Sequence, residues 1–321
     1  MIILTGSNGF IGSNLLTELN KRGLDRIIAV DNHQDEKTSQ NIENCSILEA
    51  IEIEEFFKRV KKEEINFNEV EAIFHQGACS NTMEWDIEFL YKNNVFYSNL
   101  LLDKAIKFKI PLIYASSASI YGAGTQFKEK IENESPINLY AYSKYLFDQN
   151  VRKYLGKNES QIVGLRYFNV YGPNEAHKES MASVAYHLNQ QLKKGDQVNL
   201  FKGSDGFGDG QQKRDFIHVD DVVNVNLWFR DNSNVSGIFN VGTGKSQTFN
   251  EVANAVIEWN KRGYINYIDF PENLKGAYQS FTEADIGSLR KAGYTKDFLD
   301  VNTGVKKYLD ALSGWPKNDY R

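Results

Sequence analysis

The strongest constraint on the fold lies in the first dozen residues, MIILTGSNGFIG, where glycines follow a short apolar run. The run IIL is typical of a buried parallel strand, and Gly6, Gly9 and Gly12 follow it at intervals of three. The next residues, SNLLTELNKRG, have the pattern of a helix. Glycines allow a tight turn and a close approach to a pyrophosphate, and a helix N-terminus offers N–H groups and partial positive charge. Because Asp31 ends the next apolar run, RIIAVD, this order predicts a dinucleotide-binding site.

Apolar runs and helical patterns alternate through the first half of the chain. The runs VEAIFHQGA, PLIYASSASIYG and QIVGLRYFNVYGP are typical of strands, whereas IEEFFKRVKKE, FLYKNNVFYSNLLLDKAIKF and LYAYSKYLFDQNVRKYL are typical of helices. Strands separated by helices predict right-handed crossovers and a doubly wound parallel α/β sheet. Ligands of such sheets lie at the carboxyl ends of the strands, so we expect the functional residues there.

Composition excludes several classes of protein. The 321 residues carry a net charge of −5, so we expect no positively charged surface that would bind nucleic acid. The two cysteines, Cys45 and Cys79, have neither metal-ligand spacing nor a disulfide framework, and no metal is expected. No apolar run approaches the ~20 residues that span a bilayer. Because the sequence starts on a predicted core strand, we expect no signal peptide and a cytoplasmic protein.

Tyr140 and Lys144 are the first candidate catalytic residues. They are four apart on one predicted helix and share a face, so a lysine ammonium can favour the tyrosine phenolate. Ser117, at the end of the preceding strand, can donate a hydrogen bond to the same substrate oxygen. In a chain with 17 tyrosines the Tyr–Lys spacing also arises by chance. Its combination with the glycine turn and the strand-end serine favours catalysis.

The segments TGSNGFIG, YASSASIYG, YAYSK and RYFNVYGP together resemble the extended short-chain dehydrogenase/reductase family of nucleotide-sugar epimerases and dehydratases. The resemblance implies a Rossmann domain that holds NAD or NADP, with Ser117, Tyr140 and Lys144 as the catalytic triad. Sugar 4,6-dehydratases of this family place an Asp-Glu pair directly after the strand-end hydroxyl residue. Ala118 and Ser119 stand there instead, which favours epimerisation over dehydration.

A narrower resemblance is to the ADP-glyceromanno-heptose 6-epimerase subfamily. It is carried by NVYGPNEAHKESMASVAYHLN, FHQGACS, VNLWF and LKGAYQSFT. The resemblance implies interconversion of ADP-D-glycero- and ADP-L-glycero-D-manno-heptose, for the inner core of lipopolysaccharide. Two alternatives stay open: another nucleotide-sugar epimerase, such as a UDP-hexose 4-epimerase, and a non-catalytic dinucleotide-binding sensor.

The chemistry of C6 agrees with the subfamily. This carbinol carbon has no adjacent carbonyl, so its C–H is not acidic and direct deprotonation is unrealistic. Transient oxidation to a 6-keto intermediate, rotation about C5–C6 and hydride return to the other face would invert it. The carbonyl oxygen then lies in a new place, where a second proton donor is useful. The resemblance makes Lys178 that donor, beside Tyr140, although EAHKES alone would suggest a solvated lysine.

Alignment to the subfamily implies further contacts. The cofactor positions are Gly6, Gly9, Phe10, Ile11, Gly12, Asp31, Asn32, Lys37, Gln76, Gly77, Ala78, Cys79, Ser80, Asn93, Lys144, Val170 and Lys178. The substrate positions are Ser117, Asn169, Ser180, His187, Phe201, Lys202, Gly203, Ser204, Arg214 and Tyr278. His187 alone would suggest an ordinary surface histidine, and Arg214 could instead pair with Asp215 or Asp220. Ala277 replaces the family's arginine.

The identity of the nicotinamide cofactor is ambiguous from sequence. An acidic residue such as Asp31 binds a ribose 2′-hydroxyl and repels a 2′-phosphate, which favours NAD. The subfamily nevertheless uses mainly NADP with this Asp31-Asn32 pair and a nearby lysine, here Lys37. A further basic position of the family is Ile53 in this chain. We expect NADP, with NAD as the alternative.

Domain boundaries follow from the loss of strand–helix regularity after Pro173. We expect a cofactor domain over 1–169 and about 215–243. A smaller α/β substrate domain would span about 170–214 and 244–315, with a tail at 316–321. The Gly-rich stretch 203–212 is longer than in most members, so the register of Phe201–Ser204 against Arg214 is open. The resemblance also suggests a homo-oligomer, with a pentamer as one arrangement.

Overall fold

A computed structural model describes residues 1–270 and 279–314 of the chain. A seven-stranded sheet has the order β11-β6-β5-β4-β1-β2-β3. The strands are β1 (Ile2–Thr5), β2 (Ile27–Asp31), β3 (Glu49–Glu52), β4 (Ala72–His75), β5 (Leu112–Ser117), β6 (Ile162–Tyr167), β7 (Asn169–Tyr171), β8 (Gln197–Phe201), β9 (Lys213–Arg214), β10 (Phe216–His218), β11 (Gly237–Val241), β12 (Gln247–Thr248) and β13 (Tyr264–Ile268). The pairs from β3 through β2, β1, β4 and β5 to β6 are parallel. The predicted doubly wound parallel sheet is confirmed.

Helices separate the strands along the chain. They are α1 (Phe10–Lys21), α2 (Glu36–Ser39), α3 (Ile53–Lys61), α4 (Ile87–Leu90), α5 (Tyr97–Phe108), α6 (Leu139–Arg152), α7 (Val184–Lys194), α8 (Val219–Asp231), α9 (Phe249–Asn260), α10 (Gly287–Ala292) and α11 (Val301–Ser313). A π-helical segment, Tyr91–Phe96, joins α4 to α5, so the predicted long helix is continuous but locally widened. No helix among the described residues has both the length and the apolar character to cross a membrane.

Apart from Asn240 and Val241 at the end of β11, the sheet belongs to the first of two compact units. This unit comprises Met1–Gly122, Glu134–Tyr167 and Val223–Phe239. Its core packs strand residues such as Ile3 and Ile73 against α3, α5 and α6, and the β1 side chains Ile2, Ile3 and Leu4 are almost fully buried. Strands buried on both faces are expected where helices cover both sides of a parallel sheet.

Strand β3 was not predicted from the sequence. Its residues EAIE form a short edge strand paired with β2, and only Ile51 is fully buried. Four residues with two acidic side chains carry no strand periodicity of their own. Pairing with the neighbouring strand therefore decides the conformation of this segment.

The second unit comprises Ala123–Asn133, Phe168–Val222 and the chain from Asn240 onward. Short two-stranded sheets, β7 with β10, β8 with β13 and β9 with β12, lie within it. Its core packs α7, α9 and α11 on β8, with Leu188, Val256 and Tyr308 buried.

The boundaries of the two units differ from the expected domain boundaries, chiefly at residues 123–133 and 215–222, and also at 168–169 and 240–243. Residues 123–133 belong to the second unit because Asn240 donates its side-chain amide to the Phe127 carbonyl at 2.7 Å and its backbone N–H to Glu129. Residues 215–222, expected in the cofactor domain, also belong to the second unit, where β10 pairs with β7. Backbone pairing of this kind has no local signature in the sequence.

A buried ionic network lies behind β5 and α6 in the first unit. Arg166, fully buried on β6, donates to Asp148 at 2.9 Å and pairs with Glu134. Asp148 also accepts hydrogen bonds from the hydroxyls of Tyr114 and Ser116. Buried charges are tolerated when each is paired and hydrogen-bonded, and this network meets both conditions.

Candidate active site

The glycine turn brings the backbone of three segments into contact. Gly6 has a φ of +70°, and a Cβ there would lie 2.5 Å from the Gly77 nitrogen. A Cβ on Gly12 would lie 1.9 Å from the Gly6 carbonyl oxygen. Gly9 is the N-cap of α1 and has no side chain with which to cap it. Gly6 and Gly12 are therefore required for the turn itself, whereas Gly9 leaves the start of α1 open on its outer side.

Asn8 and Asp31 fix this turn to the end of β2. The Asp31 carboxylate accepts the Asn8 N–H and the Asn32 N–H, both at 2.8 Å. The Asn8 side-chain amide contacts His33 Nδ1 at 3.2 Å. The Asn8 backbone carbonyl accepts a hydrogen bond from the Asn41 side chain. Asp31 thus holds the turn in addition to standing where an adenosine ribose is expected.

The remaining expected cofactor positions are spread over several elements. Phe10 is buried at the start of α1, Ile11 is half-buried, and Asn32 and Lys37 are exposed after β2. The Asn93 amide donates to the Phe89 carbonyl one turn earlier. Val170 lies on β7 in the second unit.

Residues Gln76–Ser80 follow β4, and side chains from three elements fix them. Gln76 contacts Asn226 and accepts from the Tyr167 hydroxyl at 2.9 Å. Asn94, almost fully buried in the π-helical segment, accepts the Cys79 N–H at 2.8 Å and donates to the Cys79 carbonyl. Asn94 also donates to Ser143, whose hydroxyl donates to the Tyr140 carbonyl at 2.7 Å. This loop and the helix of Tyr140 are therefore held by one amide side chain.

A buried histidine continues this network toward β1. His75 Nε2 contacts the Ser98 hydroxyl at 2.8 Å, and that hydroxyl donates to the Asn94 carbonyl. His75 Nε2 therefore carries the proton, and Nδ1 accepts from the Thr5 hydroxyl at 2.7 Å. The same hydroxyl accepts the Gly77 N–H. Burial, and secondarily the Lys144 charge, lowers the pKa of His75 to about 3, so the imidazole is neutral.

The structure brings Ser117 and Tyr140 together. Ser117 ends β5 and accepts from the N–H and the hydroxyl of Ser119. Tyr140 lies in the first turn of α6, which Asn138 caps. Burial raises the pKa of Tyr140, and the hydrogen bond with Ser117 opposes that shift. The sequence predicted a lower pKa from the Lys144 charge, but desolvation of the phenol is the largest effect on Tyr140 and raises its pKa.

Lys144 points to the same strand end. Its Nζ donates to the Ala115 carbonyl of β5 at 2.9 Å, and its side chain is buried. Burial lowers the pKa of Lys144 to about 8, against the attraction of Asp148 one turn along the helix. At neutral pH the ammonium form still predominates, which leaves a donor and a positive charge beside Tyr140.

Lys178 lies in the second unit, in 3₁₀ turns at Ala176–Met181. Its side chain is half-buried, whereas Ser180 is exposed. Burial lowers the pKa of Lys178, and the Glu175 carboxylate opposes this shift. A lysine in such surroundings is better suited to proton transfer than a fully solvated one.

The other expected substrate residues also belong to the second unit. Asn169 is exposed on β7, His187 is half-buried on α7, and the Arg214 guanidinium lies over the ring of Phe249. The Asp215 carboxylate accepts from Thr243, Gly244 and Ala284, and Asp220 pairs with Lys307. Tyr278, Ala277 and the tail lie outside the described residues.

Hydrogen bonds join the two ends of the Gly-rich stretch 203–212. The Gly210 N–H donates to the Phe201 carbonyl at 3.1 Å, and the Gln212 amide donates to the Lys202 carbonyl and to Ser204. The Gly203 N–H donates to Asp209. The two ends of the stretch are therefore adjacent, so the extra residues lie outside the ladder that carries Arg214.

Sequence reasoning missed Asn94 and His75. Asn94 occupies a helical stripe with Leu90, Tyr97 and Leu101, all buried, so a polar residue on a core face was the available signal. His75 ends a four-residue buried strand in register with Thr5. Asn94 lies outside the motifs from which the site was predicted, and His75 lies within FHQGACS but was given no role there.

The first unit fits a dinucleotide. Gly6 in the turn and Gly12 in the first turn of α1 leave no room for side chains, and the N-terminus of α1 at Gly9 is of the kind that binds a pyrophosphate. Asp31 ends β2, where the sequence predicts the ribose, and residues 76–80 follow β4 on the other side of β1. The donor set matches the group that the sequence predicted.

The chain is similar to known epimerases along almost its full length. The model of the NAD dependent epimerase/dehydratase family matches residues 2–242. An ADP-L-glycero-D-manno-heptose-6-epimerase of Alkalilimnicola ehrlichii is 50% identical over 316 residues, which cover 98% of both chains. The crystal structure of the Helicobacter pylori enzyme of that name matches with a TM-score of 0.83 and 30% identity, over 97% of this chain and 96% of that one. A UDP-glucose 4-epimerase of Thermotoga maritima, solved with UDP-glucose, matches with a TM-score of 0.78 and 25% identity, over 98% of each.

The neutral His75 makes the free energy of unfolding depend on pH. His75 and His218 have native pKa values of about 3 and about 4, below the ~6.5 of an unfolded histidine. The unfolded chain therefore takes up protons that the native chain cannot, so stability present above pH 6.5 is lost as the pH falls. The free energy of unfolding, measured by urea denaturation between pH 7 and 5, should fall less steeply for His75→Gln, by up to ~1.4 kcal/mol per pH unit. Equal slopes for the two proteins would contradict the buried neutral imidazole.

Proposed function

The chain belongs to the NAD dependent epimerase/dehydratase family, and we propose that it inverts C6 of ADP-D-glycero-D-manno-heptose to give ADP-L-glycero-D-manno-heptose. The resemblance to nucleotide-sugar epimerases predicted from the motifs is confirmed by the family match and by a 50% identical relative. The product would supply the inner core of lipopolysaccharide.

The hydrogen-bonded pair Ser117–Tyr140, with Lys144 on the same strand end, carries the proposal. In the proposed reaction the C6 hydroxyl loses its proton while C6 is oxidised to a ketone. When bound, the nicotinamide cofactor supplies the hydride acceptor and then the hydride donor. Tyr140 takes or returns the proton, and Ser117 orients the same oxygen. Lys144, still mostly protonated at neutral pH, favours the phenolate that Tyr140 must form against the cost of burial.

Lys178 is proposed to be the proton donor to the C6 carbonyl oxygen in its second orientation. After rotation about C5–C6 the oxygen points to a new place, and inversion requires a proton donor there as well as at Tyr140. Lys178 is the candidate because burial lowers its pKa from the ordinary value of a lysine, which favours proton transfer. Ser180, two residues further on, and Asn169 and His187 are proposed to bind the sugar.

The ADP moiety is proposed to bind at the base of the closed loop. Phe201, Lys202, Gly203 and Ser204 lie at one end of it and Arg214 follows the other. A guanidinium has forked donors suited to a diphosphate. Tyr278, which lies outside the described residues, is proposed to face the nucleotide sugar.

Incubation with ADP-D-glycero-D-manno-heptose tests the proposal directly. We expect inversion at C6, read by NMR of the product. Tyr140→Phe and Lys178→Met should each lower the rate at least ~100-fold, the usual contribution of a positioned acid or base, while cofactor stays bound. Exposed neighbours provide matched controls, Tyr142→Phe on α6 and Lys193→Met on α7, which should keep the wild-type rate.

Other outcomes would reject parts of the proposal. Equal activity on UDP-galactose would favour a UDP-hexose 4-epimerase, and no turnover of any nucleotide sugar would favour a dinucleotide-binding sensor. An unimpaired Lys178→Met variant would remove Lys178 as the second proton donor.

NADP is the proposed cofactor. Asp31 already accepts two backbone N–H groups, so part of its charge is satisfied within the protein and repels a 2′-phosphate less. Lys37, exposed on α2 a few residues after β2, is the cation proposed to bind that phosphate.

The bound nucleotide can be identified after purification without added cofactor. We expect mainly NADP, and Lys37→Ala should reduce the preference for NADP over NAD by up to about fivefold, since exposed charge pairs contribute up to ~1 kcal/mol. Lys58→Ala, another exposed lysine of the same unit, should leave the preference unchanged. Mainly NAD in the wild-type protein would contradict the proposal.

We also propose a homo-oligomer that works in the cytoplasm, where its nucleotide substrate and cofactor are made. The segment 83–96 exposes an unusual group of apolar side chains, and Trp85 is 73% exposed. The group consists of Met83, Trp85, Ile87, Phe89, Tyr91 and Phe96. Large apolar side chains exposed along one segment are typical of protein interfaces.

Sedimentation velocity tests the association. We expect a species heavier than the 36.7 kDa monomer, and Trp85→Arg should shift it toward the monomer because a charge would be buried in the interface. Tyr264→Arg, at a comparably exposed site of the second unit, is the control. A monomeric wild-type protein, or a Trp85→Arg variant with the same mass as wild type, would contradict the proposal.

A further inference from the structure

A fully buried carboxylate stands three residues before Lys178. Glu175 has no solvent exposure, and its oxygens accept from the Ser183 N–H and the Ser183 hydroxyl, both at 2.6 Å. The Gly172 N–H points to the same carboxylate at 3.4 Å. Distances of 2.6 Å are typical of charge-assisted bonds, so these donors act on an ionised group.

These contacts close the segment that carries Lys178. Gly172 precedes it and Ser183, the N-cap of α7, follows it, so Glu175 joins the two ends of residues 172–183. The Lys178 N–H donates to the Glu175 carbonyl at 2.9 Å, which fixes the first turn inside the closure. The position of the Lys178 backbone therefore depends on one carboxylate.

The closed segment contains a strained residue. Glu179 has φ +49° and ψ −118°, a conformation that residues other than glycine rarely adopt. Strain of this kind persists only where the surroundings over-determine the backbone. The bonds from Glu175 to both ends of the segment provide that restraint next to Lys178.

The Glu175 charge also acts on the lysine side chain. An uncompensated buried carboxylate is costly, and the N-terminus of α7 and the Lys178 ammonium are the positive groups near it. Tyr308 on α11 interacts with the Glu175 carboxylate, and Tyr186 on α7 interacts with Tyr308. Glu179 and His177 are further ionisable residues of the same segment. Burial and the Glu175 carboxylate raise the pKa of Tyr308, so that phenol is neutral and does not replace the ammonium.

We propose that Glu175 is a positioning residue that holds the Lys178 segment in place and whose buried charge stabilises the ammonium form of Lys178. The inference rests on the proposed function for its catalytic meaning, since the ammonium is the form that returns a proton to the sugar. Glu175 itself does not touch the substrate.

The charge can be tested without substrate by labelling the protein with acetic anhydride as a function of pH. Mass spectrometry gives the acetylation rate of Lys178 relative to the exposed Lys245. In Glu175→Gln the midpoint for Lys178 should move to lower pH. At pH 7 its acetylation should be roughly threefold faster or more, since half a pKa unit changes the neutral fraction that much. Glu179→Gln, which removes an exposed charge one residue away, should leave the rate near that of wild type.

The positioning is tested by a variant that keeps the charge. Ser183→Ala removes one donor to Glu175, so hydrogen exchange of the amides in 176–182 should become faster while the Lys178 midpoint stays in place. Glu175→Gln should change both measurements. If Glu175→Gln does not fold, the exchange result for Ser183→Ala still decides whether the closure restrains the segment.

An unchanged Lys178 midpoint in folded Glu175→Gln would overturn the charge role, and unchanged exchange in Ser183→Ala would overturn the closure. Neither measurement uses ADP-heptose, so both stand if C6 inversion is not found. With active protein, Glu175→Gln should lose more turnover at pH 9 than at pH 7, because less Lys178 remains protonated. A loss that is equal at both pH values would indicate a merely structural residue.

Discussion

Backbone-to-backbone contact at the carboxyl ends of β1 and β4 constrains the cofactor side of the first unit. Gly6 packs against Gly77 and Gly12 packs against the Gly6 carbonyl, so even a methyl group at position 6 or 12 would displace main chain. The turn cannot relax alone, because Asp31 binds it on one side and Thr5 binds Gly77 on the other. From Thr5 the hydrogen bonds continue through His75 and Asn94 to the helix of Tyr140. The position of the proposed catalytic tyrosine, Tyr140, therefore depends on the same Gly6–Gly77 contact that fixes the proposed cofactor turn.

The two candidate lysines lie in different units but have similar electrostatic surroundings. Lys144 has Asp148 one turn along α6, and Lys178 has Glu175 three residues earlier. In each case burial lowers the lysine pKa and a buried carboxylate opposes the shift, which keeps a charge where desolvation would remove it. Each carboxylate is itself held by hydroxyl and N–H or guanidinium donors. The charge of each candidate lysine is therefore stabilised by a buried carboxylate that is not itself proposed to contact the substrate.

The sequence predicted the sheet, the glycine turn and the Ser117–Tyr140–Lys144 constellation, because these depend on local periodicity and short spacings. It did not predict β3, whose conformation comes from pairing with β2, or the assignment of 123–133, which comes from Asn240. The roles of Asn94 and Glu175 were not predicted, because the fold and not a local motif determines their hydrogen-bond partners. The pKa of Tyr140 was expected to fall and instead is raised, since a sequence shows the charge nearby but not the desolvation.

Because hydrogen bonds join the two ends of the 203–212 loop, the length of the loop does not determine the position of the strands that flank it. Because the Phe201 and Lys202 carbonyls bind Gly210 and Gln212, residues between them can be added or removed without shifting β8 or β9. The entropic cost of lengthening such a loop grows only logarithmically. Evolution can therefore reshape this surface, and with it the reach of the side chains beside the proposed nucleotide site, while the strands that anchor Arg214 stay as they are.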